Sequence, residues 1–185
     1  QSHGCVNLAP ADAKALFAAE PASFSGEHFT ISDLDGSPKP YRPEGPPFLV
    51  GGGGRRVLRF AGAHCDIVGV NASIHSGEID AAAAQDGHPD RIDEKVGWVR
   101  EGAGDRFDDL ELNAWLAAAE ITDDSAGAAE FLSLAFGVPA EDALDSPLVL
   151  VGSEGEIRDR LAQRRERWGY SYHVVPGDKA HDFAP

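Results

Sequence analysis

Apolar and polar positions alternate in blocks from residue 48 onward. Short continuous apolar runs, typical of buried parallel strands, are each followed by a stretch with apolar residues every three or four positions, typical of a covering helix. The predicted strands are FLVG (48–51), DIVGV (66–70), LELNAWLAAAEI (110–121), PLVLVG (147–152) and YSYHVV (170–175). The predicted helices are 55–64, 91–103, 124–137 and a helix that follows a cap at Ser153 and ends near Trp168. The alanines of 110–121 leave a helix as an alternative there, and residues 71–90 are predicted to form a loop.

This alternation predicts an α/β fold with about five parallel strands, each followed by a helix. Right-handed crossovers allow such units either to spread as an open sheet or to curve toward a barrel. A complete eight-stranded barrel needs roughly 250 residues, whereas this chain has 185. The pattern therefore predicts either a small open α/β domain or half of a barrel.

The segment before residue 48 has a different pattern. Residues 10–19 (PADAKALFAA) predict a short helix, since proline is favoured at the first helical position. Residues 23–31 (SFSGEHFTI) alternate around Ser25 and Gly26, which predicts a hairpin. Prolines occupy five positions of 35–47, so this stretch is predicted to be an extended connector.

Charge and composition narrow the function classes. The net charge of −15 argues against nonspecific binding to nucleic acid or to anionic membranes, since both need positive charge. No apolar run is long enough for a membrane span, no signal peptide is visible, and two cysteines are too few for a disulfide framework. We therefore expect a cytoplasmic protein. The chain contains no methionine and begins at Gln1, so we expect it to be a piece of something longer.

Residues 51–56 (GGGGRR) are the strongest candidate for a binding site. A strand ends in glycines and a helix starts at once, so backbone amides and the positive helix end can approach an anion. Arg55 and Arg56 add guanidinium groups that suit a phosphate. The spacing matches neither a Walker A loop nor a dinucleotide-binding loop. A tight turn with solvated arginines is the alternative.

Four stretches of the chain carry a family resemblance: FSGEHFTISDLDGSPKP, PPFLVGGGGRRVLRFAGAHCDIVGVN, WVREGAGDRFDDLELN and SPLVLVGSEGEIRDRLAQRRERWGYSYHVV. They resemble the C-terminal half of the luciferase-like monooxygenase family, in its branch that uses coenzyme F420 or a flavin. The resemblance implies a partial TIM-type (β/α) barrel with the cofactor, F420 or alternatively FMN, at the carboxyl ends of the strands. It also implies that Gly51, Gly52, Gly53, Gly54, Arg55, Arg56 and Asn71 approach the phosphate tail of that cofactor.

The same resemblance implies an oxidoreductase or monooxygenase that transfers hydride on an unknown small organic substrate. The first barrel strands of the family have no counterpart in this sequence, so we expect a truncated enzyme that is inactive alone. Unpaired strand edges invite association, and a homodimer through these edges is the predicted assembly. A non-catalytic remnant is an alternative.

Residues 1–18, beginning QSHGCVN, carry a second resemblance. They are similar to the active-site segment of L,D-transpeptidases, which implies Cys5 as a nucleophile for acyl transfer on peptidoglycan peptides and His3 as a neighbour that shapes the site. The predicted division is therefore a transpeptidase-like segment (1–18), a hairpin and connector (19–47), and the half barrel (48–185). Transpeptidase activity through Cys5 is the alternative enzymatic function.

Other reactive side chains are predicted to be structural. His64, Cys65 and Asp66 are consecutive at a helix-to-strand junction and point in different directions. The remaining histidines lack the spacing of metal ligands, and His173 could face either the barrel mouth or the outer helices. The tryptophans are predicted to be core residues, and they are Trp98, Trp115 and Trp168.

Overall fold

The structure, a computed structural model, describes residues 15, 17–28, 30–42, 45–74, 77 and 80–184. The SHGC segment with Cys5 and His3, and most of the helix predicted at 10–19, lie outside the described residues. The chain divides into two compact units, 1–47 and 48–185. Across the described part of the chain, no helix combines the length and the apolar character that a bilayer-spanning helix needs.

The first unit contains the predicted hairpin. Strands β1 (Ala22–Ser25) and β2 (Thr30–Leu34) pair antiparallel. Ser25 pairs with Thr30 across the turn that includes Gly26. The described residues of 35–47 contain neither helix nor strand, as expected of a stretch rich in proline.

The second unit alternates strands and helices along most of its length. Its strands are β3 (Leu49–Gly52), β4 (Ile67–Val70), β5 (Glu111–Trp115), β6 (Ala118–Ile121), β7 (Val149–Gly152) and β8 (Tyr170–Val174). Its α-helices are α1 (Arg55–His64), α2 (Ala81–Asp86), α3 (Pro89–Ala103), α4 (Ser125–Phe136), α5 (Ala140–Ala143) and α6 (Glu154–Trp168). Short 3₁₀ helices occupy Gly104–Asp109 and Gly177–Lys179.

The strands of the second unit form two parallel sheets. One sheet has the order β3-β4-β5-β8, and β6 pairs with β7 in the other. Every strand pair in this unit is parallel. The predicted α/β class, with parallel strands alternating with helices, is therefore confirmed.

The run predicted as one strand over 110–121 is divided between the two sheets. Leu116 N donates to Val174 O at 3.0 Å, whereas Ala117 N donates to Leu148 O at 2.7 Å. The partner of the chain thus changes from β8 to β7 between adjacent residues, which ends β5 and starts β6. The segment is extended, so the helical alternative is wrong.

The stretch 71–90, predicted to be a loop, contains a helix. Asp80 begins α2 because its side chain accepts a hydrogen bond from Ala83 N at 2.9 Å. The four alanines that follow are strong helix formers. The neighbouring glycines had favoured a loop, but the helix propensity of the alanines prevails.

The main sheet has one covered face and one more open face. Val68, Val70, Leu112 and Ala114 are buried against apolar side chains of α1 and α3. Side chains alternate between faces along a strand, and the opposite face carries Leu49, Trp115 and Tyr172, which are 46%, 42% and 40% exposed. The core therefore lies between the sheet and its helices.

Helices α1 and α3 are in backbone contact at two glycines. A Cβ added at Gly102 would lie 2.0 Å from Arg59 O, and one added at Gly62 would lie 2.4 Å from Val99 O. Any larger side chain at either position would force the helices apart. On the same helix as Gly102, a Cβ at Gly97 would have no neighbour within 4 Å.

We predict opposite effects for two alanine substitutions in α3. Gly102→Ala should lower the free energy of unfolding by about 1–3 kcal/mol through overpacking, whereas Gly97→Ala should raise it by about 0.5–1 kcal/mol through helix propensity. Urea unfolding followed by tryptophan fluorescence measures both. Equal stability of Gly102→Ala and the wild type would contradict the backbone contact.

Candidate functional site

The carboxyl ends of β3, β4 and β5 meet around Asn71. Asn71 N donates to Gly52 O at 3.0 Å, which continues the pairing of β3 with β4. The side-chain Oδ1 of Asn71 accepts a hydrogen bond from Trp115 N at 3.2 Å. Asn71 therefore joins the three strand ends, at the edge of a parallel sheet where ligands of α/β proteins bind.

The glycines at the end of β3 and directly after it, here called the glycine turn (51–54), have different structural roles. A Cβ at Gly51 would lie 3.2 Å from Asn71 Nδ2, so the turn and Asn71 are adjacent. A Cβ at Gly53 would lie 2.5 Å from Ser73 N, so only glycine fits against that backbone. A Cβ at Gly54 would have no neighbour within 4 Å. No protein atom covers the side of Gly54 where a side chain would stand. Gly53, by contrast, packs the turn against the loop after β4.

The N-terminus of α1 is open to an anion. Gly54 is its N-cap residue, no side chain caps it, and its first turn contains no acidic residue. By contrast, side chains cap α2, α3, α4 and α6. The amides of the first turn of α1 therefore lack a side-chain acceptor, and the positive end of the helix dipole is not compensated by its own sequence.

The two arginines after the glycines differ in their contacts. Arg55 forms an ion pair with Glu101 at 3.0 Å, and Arg59 reaches the same carboxylate at 3.4 Å. Arg56 is exposed and makes no hydrogen bond or ion pair with any described residue. Of the two predicted phosphate ligands, Arg56 is therefore the one whose charge is uncommitted.

A buried lysine holds the loop after β4 in place. Lys95 is fully buried, and its Nζ donates to Asn71 O at 2.9 Å, to Asp86 O at 2.9 Å and to Asp86 Oδ2 at 2.6 Å. Asp86 Oδ2 also accepts a hydrogen bond from Ser73 N at 2.8 Å. The network thus fixes both residues that contact the glycine turn.

Sequence reasoning missed Lys95, although a signal was present. Lys95 follows Ile92 by three residues and precedes Val99 by four, so it occupies the apolar stripe of α3. A charged residue in such a stripe is buried only with a partner. That partner, Asp86, lies on a helix that the sequence analysis did not predict.

Asp86 is held in its charged form. Burial raises the pKa of Asp86, but the hydrogen bonds from Lys95 and from the Ser73 amide outweigh burial, so the pKa lies below its usual value. The carboxylate therefore remains ionised across the neutral pH range, whereas burial lowers the pKa of its partner Lys95.

A cavity of about 380 Å³ opens beside the same strand ends. Asn71 and Ala72 form one side, and Trp115 and Ala117 lie where β5 gives way to β6. Residues of α2, of α5 and of the start of β7 line other parts of the wall. Trp115, predicted to be a core residue, instead lines this cavity and is 42% exposed.

The other residues that the sequence analysis considered have structural positions. Cys65 is buried, and Asp66 Oδ2 accepts a hydrogen bond from Phe48 N at 2.8 Å, which ties the start of β3 to the start of β4. Trp168 is buried in the core. His173 pairs with Ala114 in the sheet and so lies on the helix-covered face. Burial and the nearby charge of Arg164 lower the pKa of His173.

We predict that the Lys95–Asp86 pair dominates the stability of this corner. Asp86→Asn leaves a buried ammonium without its counter-charge and should lower the free energy of unfolding by about 3–5 kcal/mol. Glu94→Gln, which removes an exposed partner of Arg91, should cost at most about 1 kcal/mol. Thermal and urea unfolding near neutral pH measure the difference.

The pH dependence of stability provides an independent check. Because the folded-state pKa of Asp86 is lowered, its stabilising contribution is present above the unfolded-state pKa of about 3.9 and is lost as the pH falls toward the folded-state value. This component of acid destabilisation should be absent in Asp86→Asn. Parallel pH–stability curves for the variant and the wild type would contradict the pairing.

Part of the chain that forms this site resembles a known protein family. Residues 13–93 match the model of the luciferase-like monooxygenase family. That segment contains the hairpin, the glycine turn, Asn71 and Asp86. A comparison with curated protein sequences gives no match. Neither the family match nor the solved structures named below supports the transpeptidase resemblance of residues 1–18.

Three solved structures share the fold. Coenzyme F420 dependent tetrahydromethanopterin reductase from Methanopyrus kandleri is 15% identical, with a TM-score of 0.60 over 91% of this chain and 55% of that chain. An F420-dependent secondary alcohol dehydrogenase is 15% identical, with a TM-score of 0.57 over 88% of this chain and 52% of that chain. Monooxygenase RslO1 from Streptomyces bottropensis is 16% identical, with a TM-score of 0.58 over 88% of this chain and 50% of that chain.

The chain thus spans about half the length of each of these structures. At this level of identity the likeness concerns the fold, which is that of a partial TIM-type (β/α) barrel. The family match and the shared fold together confirm that the chain resembles the luciferase-like monooxygenase family.

Proposed function

We propose that the glycine turn binds the phosphate group of a deazaflavin or flavin cofactor and that the chain forms part of an oxidoreductase acting on a small organic substrate. One observation carries this proposal. The N-terminus of α1 is uncapped and follows the bare Gly54, and the uncommitted Arg56 lies in its first turn.

Electrostatics strengthen the case for an anion at this turn. The chain carries a net charge of −15, so most of its surface repels a phosphate. The helix N-terminus contributes about half a positive charge, and a guanidinium forms charge-assisted hydrogen bonds with phosphate oxygens. A local positive site on an otherwise acidic protein is suited to bind a single anionic group at that position.

The glycines fit a phosphate tail sterically. The turn at Gly53 is held against the loop after β4, so its position does not depend on a ligand. At Gly54 no side chain separates the helix amides from solvent, and a phosphate oxygen can reach them. These residues therefore suit a preformed phosphate cradle.

Coenzyme F420 is the favoured cofactor and FMN is the alternative. Two of the three solved structures named above are F420-dependent enzymes, which supports the deazaflavin. When bound, either cofactor supplies hydride-transfer chemistry. The residues of this chain would anchor its phosphate at Gly54 and Arg56 and, through Asn71, link that anchor to the cavity at Trp115.

The whole enzyme needs more surface than the described strands provide. In the four-stranded sheet, β3 and β8 are the outer strands, and outer strands offer unpaired backbone groups for association. We therefore also propose that the chain forms a homodimer through these edges and that it is inactive alone.

Titration of the purified chain with F420, FMN and riboflavin tests the cofactor site. We expect F420 or FMN to bind, and riboflavin, which lacks the phosphate, to bind at least tenfold more weakly than FMN if FMN binds. Arg56→Ala should weaken cofactor binding about 10- to 100-fold, the effect of losing a hydrogen bond to a charged group. Arg158→Ala removes an exposed arginine of α6 and should change the affinity less than twofold.

Gly54→Val provides a second test that does not alter charge. A side chain at this position meets no protein atom within 4 Å, so the fold should persist while the new methyl groups cover the helix amides. Calorimetry should show reduced cofactor affinity, while the melting temperature falls by only a few degrees because valine is a poorer N-cap residue than glycine. Failure of both cofactors to bind the wild type, or equal affinities for Arg56→Ala and Arg158→Ala, would refute the proposed site.

A further inference from the structure

We propose that the cavity between the ends of β4 and β5 and helices α2 and α5 binds a predominantly apolar small molecule that carries no negative charge, and that this is the substrate class of the enzyme. The assignment of this ligand as substrate rests on the proposed function, whereas its binding does not. The size of the cavity, the composition of its wall and the charges along that wall support this class of ligand.

The cavity is large enough for a small organic ligand. Its volume of about 380 Å³ lies within the range of about 300–1,000 Å³ found for small-molecule sites. Small side chains create this space, since α2 contributes Ala83 and Ala84 and α5 contributes Ala143. Larger apolar side chains close the remaining wall, and they are Ile74, Trp115, Phe136, Val138, Leu148 and Val149.

Three polar groups of the wall have protein partners, whereas the side chains of Gln85 and Asp142 make no hydrogen bond or ion pair with a described residue. Ser146 Oγ donates to Gly87 O at 2.8 Å and accepts from Leu148 N at 3.2 Å. The Oδ1 of Asn71 accepts from Trp115 N, and Nδ1 of His88 accepts from the amide of the following helix. A ligand that enters the cavity therefore exchanges water mainly for apolar contacts.

Anionic ligands would lose more than they gain at this wall. The guanidinium of Arg91 is paired with Asp86 and Glu94, so it offers no free counter-charge to a carboxylate. Asp90 and Asp142 also line the cavity and would repel an anion. Burying an unpaired charge is costly, so the wall disfavours a ligand with a negative charge.

The cavity adjoins the proposed cofactor anchor. Asn71 lines the cavity and also lies beside Gly51, where an added Cβ would be 3.2 Å from its amide nitrogen. An apolar ligand in the cavity would therefore lie next to the strand ends that the cofactor site uses. This adjacency is the reason for assigning the cavity to a substrate.

A homologous ligand series tests the proposal on the wild-type chain without cofactor. Calorimetric titration with 1-butanol, 1-hexanol and 1-octanol should show affinity rising about fourfold for each added CH₂ group. Octanoate should bind at least tenfold more weakly than 1-octanol. Absence of 1-octanol binding, or equal binding of octanoate, would overturn the proposal.

Two phenylalanine substitutions on α2 locate the bound alkanol. Ala84→Phe fills the cavity and should weaken 1-octanol binding at least tenfold, whereas Ala82→Phe, at an exposed position of the same helix that does not line the cavity, should change it less than twofold. Equal binding to Ala84→Phe and Ala82→Phe would place the ligand elsewhere and overturn the proposal. If circular dichroism shows that Ala84→Phe does not fold, the tryptophan emission of the wild type and of Trp115→Phe decides the location. Contact with 1-octanol replaces water around the part-exposed Trp115, so 1-octanol should shift the emission of the wild type to shorter wavelength. The shift should be lost in Trp115→Phe, and an undiminished shift would overturn the proposal.

The outcomes separate this inference from the cofactor proposal. Because the alkanol titrations contain no cofactor, loss of alkanol binding with intact F420 or FMN binding refutes only the apolar site. Alkanol binding without cofactor binding retains the apolar site but removes its assignment as a substrate site.

Discussion

The buried ammonium of Lys95 is the contact on which the candidate site depends. A lysine with no exposed surface is tolerated only when all of its donors are used, and here its three hydrogen bonds go to Asn71 and Asp86. The same carboxylate holds the amide of Ser73. One side chain of α3 therefore determines the path of the chain after β4, and Gly53 fits against that path.

Two sites of different chemistry follow from this arrangement. On one side of Asn71 lie the uncapped end of α1 and Arg56, which together form a small positive region on an acidic protein. On the other side lies a predominantly apolar cavity. An anionic cofactor tail and an apolar substrate would thus be separated by a single residue, and the cavity would disfavour the negative charge that the turn attracts.

Local signals predicted much of this fold from sequence. Helix α6 was located because Ser153 and Glu156 form a capping box and Gly169 ends the helix with a φ of 85°, and β4 and β7 are continuous apolar runs. The division of 110–121 could not be read locally, since it depends on which distant strand each residue meets. The same holds for the site: the glycine turn was visible, but the pairing of Arg55 with Glu101, the exposure of Trp115 and the partner of Lys95 all depend on contacts distant in sequence.

The change of strand partner between β5 and β6 couples the two sheets mechanically. Leu116 is hydrogen-bonded to Val174 of β8, and Ala117 is hydrogen-bonded to Leu148, directly before β7. Neither sheet can therefore move along the other without straining the peptide that joins these two residues. The cavity lies where the two sheets diverge, and Trp115 of the first sheet and Val149 of the second line it. Its width therefore depends on the angle between the two sheets. A bulky ligand would push the sheets apart, and the backbone hydrogen bonds of both sheets would resist this movement.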